Sequence, residues 1–445
     1  MSTQAIARDL CLAPERSGGS VYGGRYRKLF ESLPALDAED EALHALGSPG
    51  GICDEDADRS TDGEMAAGWP FFGQFIAHDI TADRSPLGHR ADLDRVKNFR
   101  TPRANLEGVY AAGPTGSPYL FQKDDPAKLL VGEGGHDVPR NHEGIALLGD
   151  QRNDTHLFMS QMQLGFIRTH NLIVDRLRED GVGETEVFED ARRATTWHYQ
   201  WVILREFLPQ LIGPELMTEL LEDGATVFRP GDDPYIPFEF ADAAYRYGHS
   251  QVRDAYRVNR DFGPVPVFPD LMGFGAVPVD HAIDWTLQFD VPGHEPAQRS
   301  KKIDGKLPRS LISLPRQISG EDEGSAYSSL ANRDLQRGQA VGLPSGEAVA
   351  RELGVELLTA DEVGLASAGW DQETPLWLYV LKEAEMLKDG DRLGPVGGRI
   401  VGEVLLGIID ADPESYRSVD PSWRPTLPSR EPGVFGIADI LVPPG

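Results

Sequence analysis

The stretch FFGQFIAHDI, residues 71–80, poses the question around which the rest of the chain is organised. It reads as one buried, largely apolar helical segment, yet it carries Gln74, His78 and Asp79. Polar groups buried without partners are costly, so each of the three must be held by something or hold something. In a helix, residues four apart share a face and neighbours differ by about 100°. Gln74 and His78 therefore point one way and Asp79 another, so one helix can serve two sites. A single buried histidine is ordinarily a hydrogen-bonded core residue. The residues elsewhere in the chain change that reading.

Outward from this segment, helical patterns dominate. Residues 154–180, DTHLFMSQMQLGFIRTHNLIVDRLRED, place Leu157, Met162, Phe166, Ile173 and Leu177 at roughly helical spacing. ARRATTWHYQWVILREFLPQLIG and GPELMTELLED predict two more helices, the first interrupted at Pro209. Residues 240–258, FADAAYRYGHSQVRDAYRV, predict another, and ETPLWLYVLKEAEMLKDG and GGRIVGEVLLGIIDAD supply late ones. Strand-like alternation is scarce. Loops such as GPVPVFPDLMGFGAVPVD are long and rich in Pro and Gly, and the tail from PSWRP onward reads as extended. The expectation is a mainly α protein: a single large helical domain over 66–445, with long irregular loops, few strands and an extended C-terminal tail. Residues 1–65 are acidic, Gly-bearing and poor in periodicity, and read as an arm that wraps the core or is partly mobile.

Composition narrows the classes. The 445 residues are 40% hydrophobic and 26% charged, ordinary globular values, with a formal net charge of −28. Such a chain repels nucleic acid and anionic membranes. The two cysteines, Cys11 and Cys53, exclude a disulfide framework and allow one bridge at most. The N-terminus lacks an apolar run long enough for a signal peptide, and no segment approaches a membrane span. These features point to a reducing, cytoplasmic setting; the alternative is secretion without a classical signal peptide.

Three further pieces bear on His78. GDQRND puts Arg152 just before the long helix. YRYGHS puts His249 next to Gly248, where a missing side chain lets a flat ligand approach. LANRDLQRGQA puts Asp334 and Arg337 three apart, able to share a helical face. The ordered set GQFIAHD, RTPRANLEGVY, GDQRND, FIRTHN, YRYGHS and DLQRG resembles the animal-type haem peroxidases of the peroxidase–cyclooxygenase superfamily, in their bacterial branch. The resemblance runs from about Trp69 to the tail.

What the resemblance implies can be carried over position by position. His78 matches the distal histidine, Arg152 the distal arginine, and Gln74 the distal glutamine that orders water or halide. His249 matches the proximal ligand of haem iron. Asp334 stands where the family has an asparagine that accepts a hydrogen bond from the proximal imidazole. An ionised Asp334 would draw the His249 proton and give a lower iron reduction potential than an asparagine would. Arg337 matches an arginine paired with a haem propionate and Arg246 one lying under the haem. The implied activity is reduction of hydrogen peroxide through a ferryl intermediate, with oxidation of small organic donors or halide. A neutral His78 would move the peroxide proton, and Arg152 would lower its pKa and stabilise charge as the O–O bond breaks.

The chain departs from the family where mammalian relatives esterify haem. Those positions are Ala77 and Thr155 here, and neither carries a carboxylate. The position of a haem-bonded methionine in one relative is His156. Non-covalent haem b, with weakened halide oxidation, is therefore expected. The aspartate after the distal histidine binds calcium in the family. Its match is Asp79, with Thr101, Arg103 through its carbonyl, Asn105 and Glu107 from the loop TPRANLE. Hard oxygens in that number suit Ca²⁺.

Plainer readings hold elsewhere. Arg168, His170 and Asn171 read as packing anchors, Tyr245 and Tyr247 as core or haem-edge residues, His136 and His142 as solvated, and SKKIDGK as an exposed segment. Two other functions compete. A fatty-acid dioxygenase of the same superfamily uses a tyrosine three residues before the proximal ligand, where this chain has Arg246, with Tyr245 beside it. A non-catalytic haem-binding or sensor protein needs neither His78 nor Arg152.

Overall fold

The computed structural model describes residues 24–55, 61–83, 93, 96–231, 233–322 and 324–443. The segment that opened the sequence reading is a helix, Trp69–Ile80, with Pro70 in its first turn, where its missing N–H costs nothing. Thr81 ends it in an extended conformation. Along this helix every residue is buried except Gln74 and Ala77. Its aromatic side packs on the long helix Leu157–Glu179: Phe71 stacks on Phe158 at 4.0 Å and Phe75 on Phe166 at 4.8 Å between ring centres. That long helix packs in turn on Val187–Val202. The chain passes through one π-helical turn, Ile203–Phe207, and continues as Leu208–Ile212, so Pro209 falls in the first turn of a new helix instead of breaking one.

Leu376–Lys388 and Pro395–Asp410 form the far side of the core. Their junction is set by Glu383, whose carboxylate accepts the N–H groups of Val396 and Gly397 at the N-terminus of the second helix. Gly394 is required there, since a Cβ would stand 2.3 Å from the Glu383 side chain. Strands are few and short. Lys97–Asn98, Gly24–Arg27 and Tyr235–Pro237 form one small sheet, and Asp62–Ala66 pairs with Arg299–Lys301 in another. The fold is mainly α, as expected.

Of the N-terminal arm, residues 1–23 and 56–60, Cys11 among them, lie outside the described residues. The part described wraps the body: Gly24–Arg27 pairs with Tyr235–Pro237, and the helix Asp40–Gly47 packs on Leu330–Ala340. Cys53 is buried, which pushes its thiol up to about 12. The tail ends in a short helix, Ile437–Leu441, seated where Gly165 leaves room for Leu441. Among the described residues no helix is long and apolar enough to cross a membrane.

Two expectations fail. The helix expected over 240–258 is not continuous. It is a short helix Phe238–Ala241, a break at Ala243 and a 3-10 turn Ala244–His249, followed by the strand Ala255–Tyr256. The physical reason is visible in Phe240 and Tyr245, stacked at 4.5 Å. Residues five apart in an unbroken helix lie about 140° apart and could not stack. SKKIDGK is not an exposed segment. It forms part of Arg299–Lys301, Ile303 is fully buried, and Lys301 is ion-paired with Glu55 in the interior. Lysine is mostly exposed unless paired, and the partner here is remote in sequence.

Candidate active site

The helix Trp69–Ile80 and the 3-10 turn Ala244–His249 meet at Gly73: a Cβ there would lie 3.4 Å from the Tyr247 hydroxyl. Partial exposure marks out one face on each element. On the helix it falls on Gln74 and Ala77, next to His78. On the turn it falls on Tyr245, Arg246, Gly248 and His249. A side chain built at Gly248 would meet no atom within 4 Å. Arg152 and Thr155 are also partly exposed, whereas their neighbours Asn153 and Asp154 are buried.

On the His249 side, Nδ1 lies 2.5 Å from a carboxylate oxygen of Asp334, which is wholly buried in the helix Leu330–Ala340. The other Asp334 oxygen accepts from Arg246 Nη1 at 3.2 Å. Arg246 and Arg337 both approach Asp242, at 3.6 and 3.8 Å. Arg246 Nε is buried without a partner. With Nδ1 engaged, Nε2 is the nitrogen His249 has left for a metal.

On the His78 side, burial and then the Arg152 cation push the imidazole down to about 3, so it is neutral at ordinary pH. Its Nδ1 lies 2.7 Å from Asn153 Oδ1. Gln74 Oε1 lies 2.8 Å from His156 Nε2 and so accepts from that ring, whose own pKa burial pushes down to about 4. Arg152 donates through Nη2 to the carbonyls of His78 and Thr81 at the negative end of the helix, and through Nε and Nη2 to Asp150.

Asp150 was not singled out in the sequence, yet it fixes both arginines of this region. It accepts from Arg152 and from Arg100, whose guanidinium also bonds Glu107 and the Gly149 carbonyl. The signal was the side chain itself: an aspartate two residues before an arginine, capping the turn Gln151–Asp154. Burial alone would raise the Asp150 pKa, but the bonds from Arg152 and the charges of both arginines outweigh it and hold the carboxyl well below the usual carboxylate range. A lowered folded-state pKa means the stabilisation is complete above the unfolded value of about 3.9 and is lost as pH falls through the folded one. Asp150→Asn is expected to cost about 3 kcal/mol at pH 7, the low end for a broken buried pair, because Arg152 is 37% exposed. Urea unfolding should show the gap to wild type closing below about pH 4; a gap independent of pH would contradict the assignment.

The loop expected to bind calcium is closed on itself. Glu107 Oε2 accepts from the Thr101 hydroxyl at 2.9 Å, Glu107 Oε1 accepts from Arg100, Asn105 Nδ2 donates to the Thr101 hydroxyl at 3.3 Å, and Asn105 Oδ1 accepts from the Glu107 N–H. Arg103 pairs with Asp412. Asp79 accepts from Leu106 N–H through Oδ2, while Oδ1 is buried with no partner, and burial pushes its carboxyl up to about 7. Among the described residues no three His, Cys, Asp or Glu side chains gather as a metal cluster.

Of the residues assigned to packing, His170 and Asn171 do that, whereas Arg168 is exposed and donates to the Gly135 carbonyl. His170 lies 3.0 Å from the Tyr110 hydroxyl and 2.8 Å from the Ala127 carbonyl, and Asn171 bonds both backbone groups of Leu129. Of the two histidines expected to be solvated, His142 is exposed, but His136 is half-buried and its ring meets the Val277 carbonyl, a partner remote in the chain.

The family described as animal haem peroxidase matches residues 90–358. A "Peroxidase-like protein" of Margaritifera margaritifera is 32% identical over 141 residues, 30% of this chain and 16% of that protein. The "Chorion peroxidase" of Aedes aegypti is 25% identical over 304 residues, 66% of this chain and 37% of that one. The chain thus spans well under half the length of these relatives. Among solved structures, peroxidase A from Dictyostelium discoideum superposes with a TM-score of 0.64 at 14% identity, covering 89% of this chain and 88% of that one. A fatty acid alpha-dioxygenase of Arabidopsis thaliana gives 0.61 at 14% identity, covering 86% and 71%. At such identities these two show a shared fold.

Proposed function

Since the chain belongs to the animal haem peroxidase family, we propose that it is a haem-dependent peroxidase that reduces hydrogen peroxide and oxidises small organic donors or halide. The observation that carries this reading is the pair of histidines in opposite settings on adjoining elements. His78 is buried and held neutral, and His249 has a carboxylate on Nδ1 and Nε2 left over. The residues present fit a haem: the space beside Gly248, the unpartnered Arg246 Nε, and the partly exposed faces around Gln74, Ala77 and Arg337. Haem, when bound, supplies the iron at which peroxide is activated.

The chain's own residues would do the rest. His249 Nε2 would hold the iron, with Asp334 accepting the Nδ1–H hydrogen bond and strengthening the ring as a donor. Arg246 and Arg337 would meet the porphyrin and its propionate. His78 would take a proton from one peroxide oxygen and return it to the other. Arg152, already fixed by Asp150, would favour negative charge developing nearby. Gln74, held by His156, would present its amide N–H₂ to water or halide. A holoprotein that consumes no peroxide in the presence of a phenolic donor would overturn the proposal.

Haem is expected to be non-covalent, because Ala77 and Thr155 offer no carboxylate. Acidified organic solvent should remove all of it from the holoprotein; haem remaining with the polypeptide would refute this. Calcium at Asp79 belongs to the same proposal. The unpartnered Oδ1 of a buried carboxylate favours a cation there, and Thr101, the Arg103 carbonyl, Asn105 and Glu107 would be the other donors, with Thr101, Asn105 and Glu107 exchanging the bonds they make with one another and with Arg100 for the cation. Residues 66–445 would form the catalytic domain with 1–65 as its arm, in a cytoplasmic setting in keeping with two cysteines in the whole chain.

A further inference from the structure

A buried polar chain leads away from His78. Its Nδ1 lies 2.7 Å from Asn153 Oδ1, Asn153 Nδ2 lies 2.9 Å from Gln163 Oε1, and Gln163 Nε2 lies 3.3 Å from the Gly108 carbonyl oxygen. Asn153 and Gln163 are each only 1% exposed, so water cannot substitute for any of these bonds. The direction of the chain follows from its far end. A backbone carbonyl can only accept, so Gln163 must present its amide N–H₂ to Gly108. Its Oε1 then faces Asn153 and can only accept, which turns the Asn153 N–H₂ toward Gln163. Asn153 Oδ1 is left facing His78, and an amide oxygen can only accept. The ring nitrogen opposite it must therefore carry the proton. Reversing any one amide would set two acceptors or two donors against each other in a dry interior, which costs more than a lost bond.

We propose that Asn153 and Gln163 are positioning residues that lock His78 as its Nδ1–H tautomer, so that Nε2 is the nitrogen that can accept a proton. Asn153 follows Arg152 directly, in the same turn Gln151–Asp154. The turn that carries the cation thus also sets the tautomer of the base. Gln163 lies on the helix Leu157–Glu179, and Gly108 follows the loop 101–107. Gly149 lets this loop and the Arg152 turn come together, since a Cβ there would stand 2.7 Å from the Gly108 carbonyl oxygen. A wrong tautomer leaves a catalytic histidine present but inactive, because the lone pair then sits on the wrong nitrogen.

This inference rests on the peroxidase reading, and its test separates the two. In protein labelled with ¹⁵N-histidine, the His78 imidazole, identified by its loss in His78→Gln, is read by two-bond ¹H–¹⁵N correlation in the carbon-monoxide-bound ferrous holoprotein. Wild type should show the Nδ1–H pattern. Asn153→Leu should show the Nε2–H pattern or a mixture, with peroxide consumption down at least about 10-fold and haem content unchanged. Gln163→Met, one step further from the ring, gives an independent variant should Asn153→Leu not fold; it should show a mixture. An Nε2–H pattern in wild type, or an Nδ1–H pattern unaltered in Asn153→Leu or Gln163→Met, would overturn the proposal while leaving the peroxidase reading intact. A wild-type protein that binds no haem would overturn the peroxidase reading instead.

Discussion

His78→Ala is expected to lower the second-order rate of peroxide consumption by about 10²–10⁴-fold, the usual contribution of a positioned acid–base group, with haem content unchanged. The size follows from what the ring is and where it stands. The same group must remove a proton from one peroxide oxygen and supply one to the other, and a neutral imidazole can do both. Burial, with Arg152 adding to it, pushes His78 down to about 3, so protonation does not compete at ordinary pH. Gln74, the polar neighbour on the same helical face, is engaged by His156 and has no group that titrates near neutrality. No other side chain on that face can replace the histidine. Haem should remain because its proposed ligand, His249, lies on a different element and is oriented by Asp334. Stopped-flow kinetics with a haem assay on the same samples decides the matter. Equal rates in His78→Ala and wild type would exclude His78 as the proton carrier, and joint loss of haem and rate would mean that it serves as a haem anchor.

The sequence carried the fold class and the paired histidines, and the reason is physical. Long amphipathic segments such as 154–180 advertise themselves through their own periodicity, and the helix Leu157–Glu179 follows from it. His78, His249 and Asp334 sit in short motifs whose residue types are unusual for their apolar surroundings. What stayed hidden was whatever depends on partners distant in the chain. Asn153 and Gln163 look like an ordinary turn residue and an ordinary helix residue until the fold sets one against His78 and the other against Gly108. The break at Ala243 was invisible because FADAAYRYGHS has fair helix formers; stacking of Tyr245 on Phe240 overrides that propensity. Lys301 looked solvent-bound because its partner, Glu55, comes from the arm.

Asp334→Asn is expected to raise the iron reduction potential and to lower haem affinity or turnover by about 10–100-fold. The carboxylate has two oxygens and uses both: one lies 2.5 Å from His249 Nδ1 and the other accepts from Arg246 at 3.2 Å. An asparagine has one oxygen and one N–H₂ group. If its oxygen serves His249, the N–H₂ confronts the Arg246 guanidinium, donor against donor; if it serves Arg246, the His249 N–H loses its acceptor. Neither arrangement can be relieved by water, because this position is wholly buried. The substitution also removes a negative charge next to the imidazole that would bind ferric iron. Without it the oxidised state is less favoured, and the potential moves upward. Spectroelectrochemistry gives the sign, and titration of the apoprotein with haem gives the affinity. The resemblance read in the sequence implies an asparagine in this role, so the substitution sets the two residues to the same task. An unchanged potential would mean that Asp334 acts as a neutral acceptor whose charge is spent on Arg246, and the asparagine would then be its functional equal.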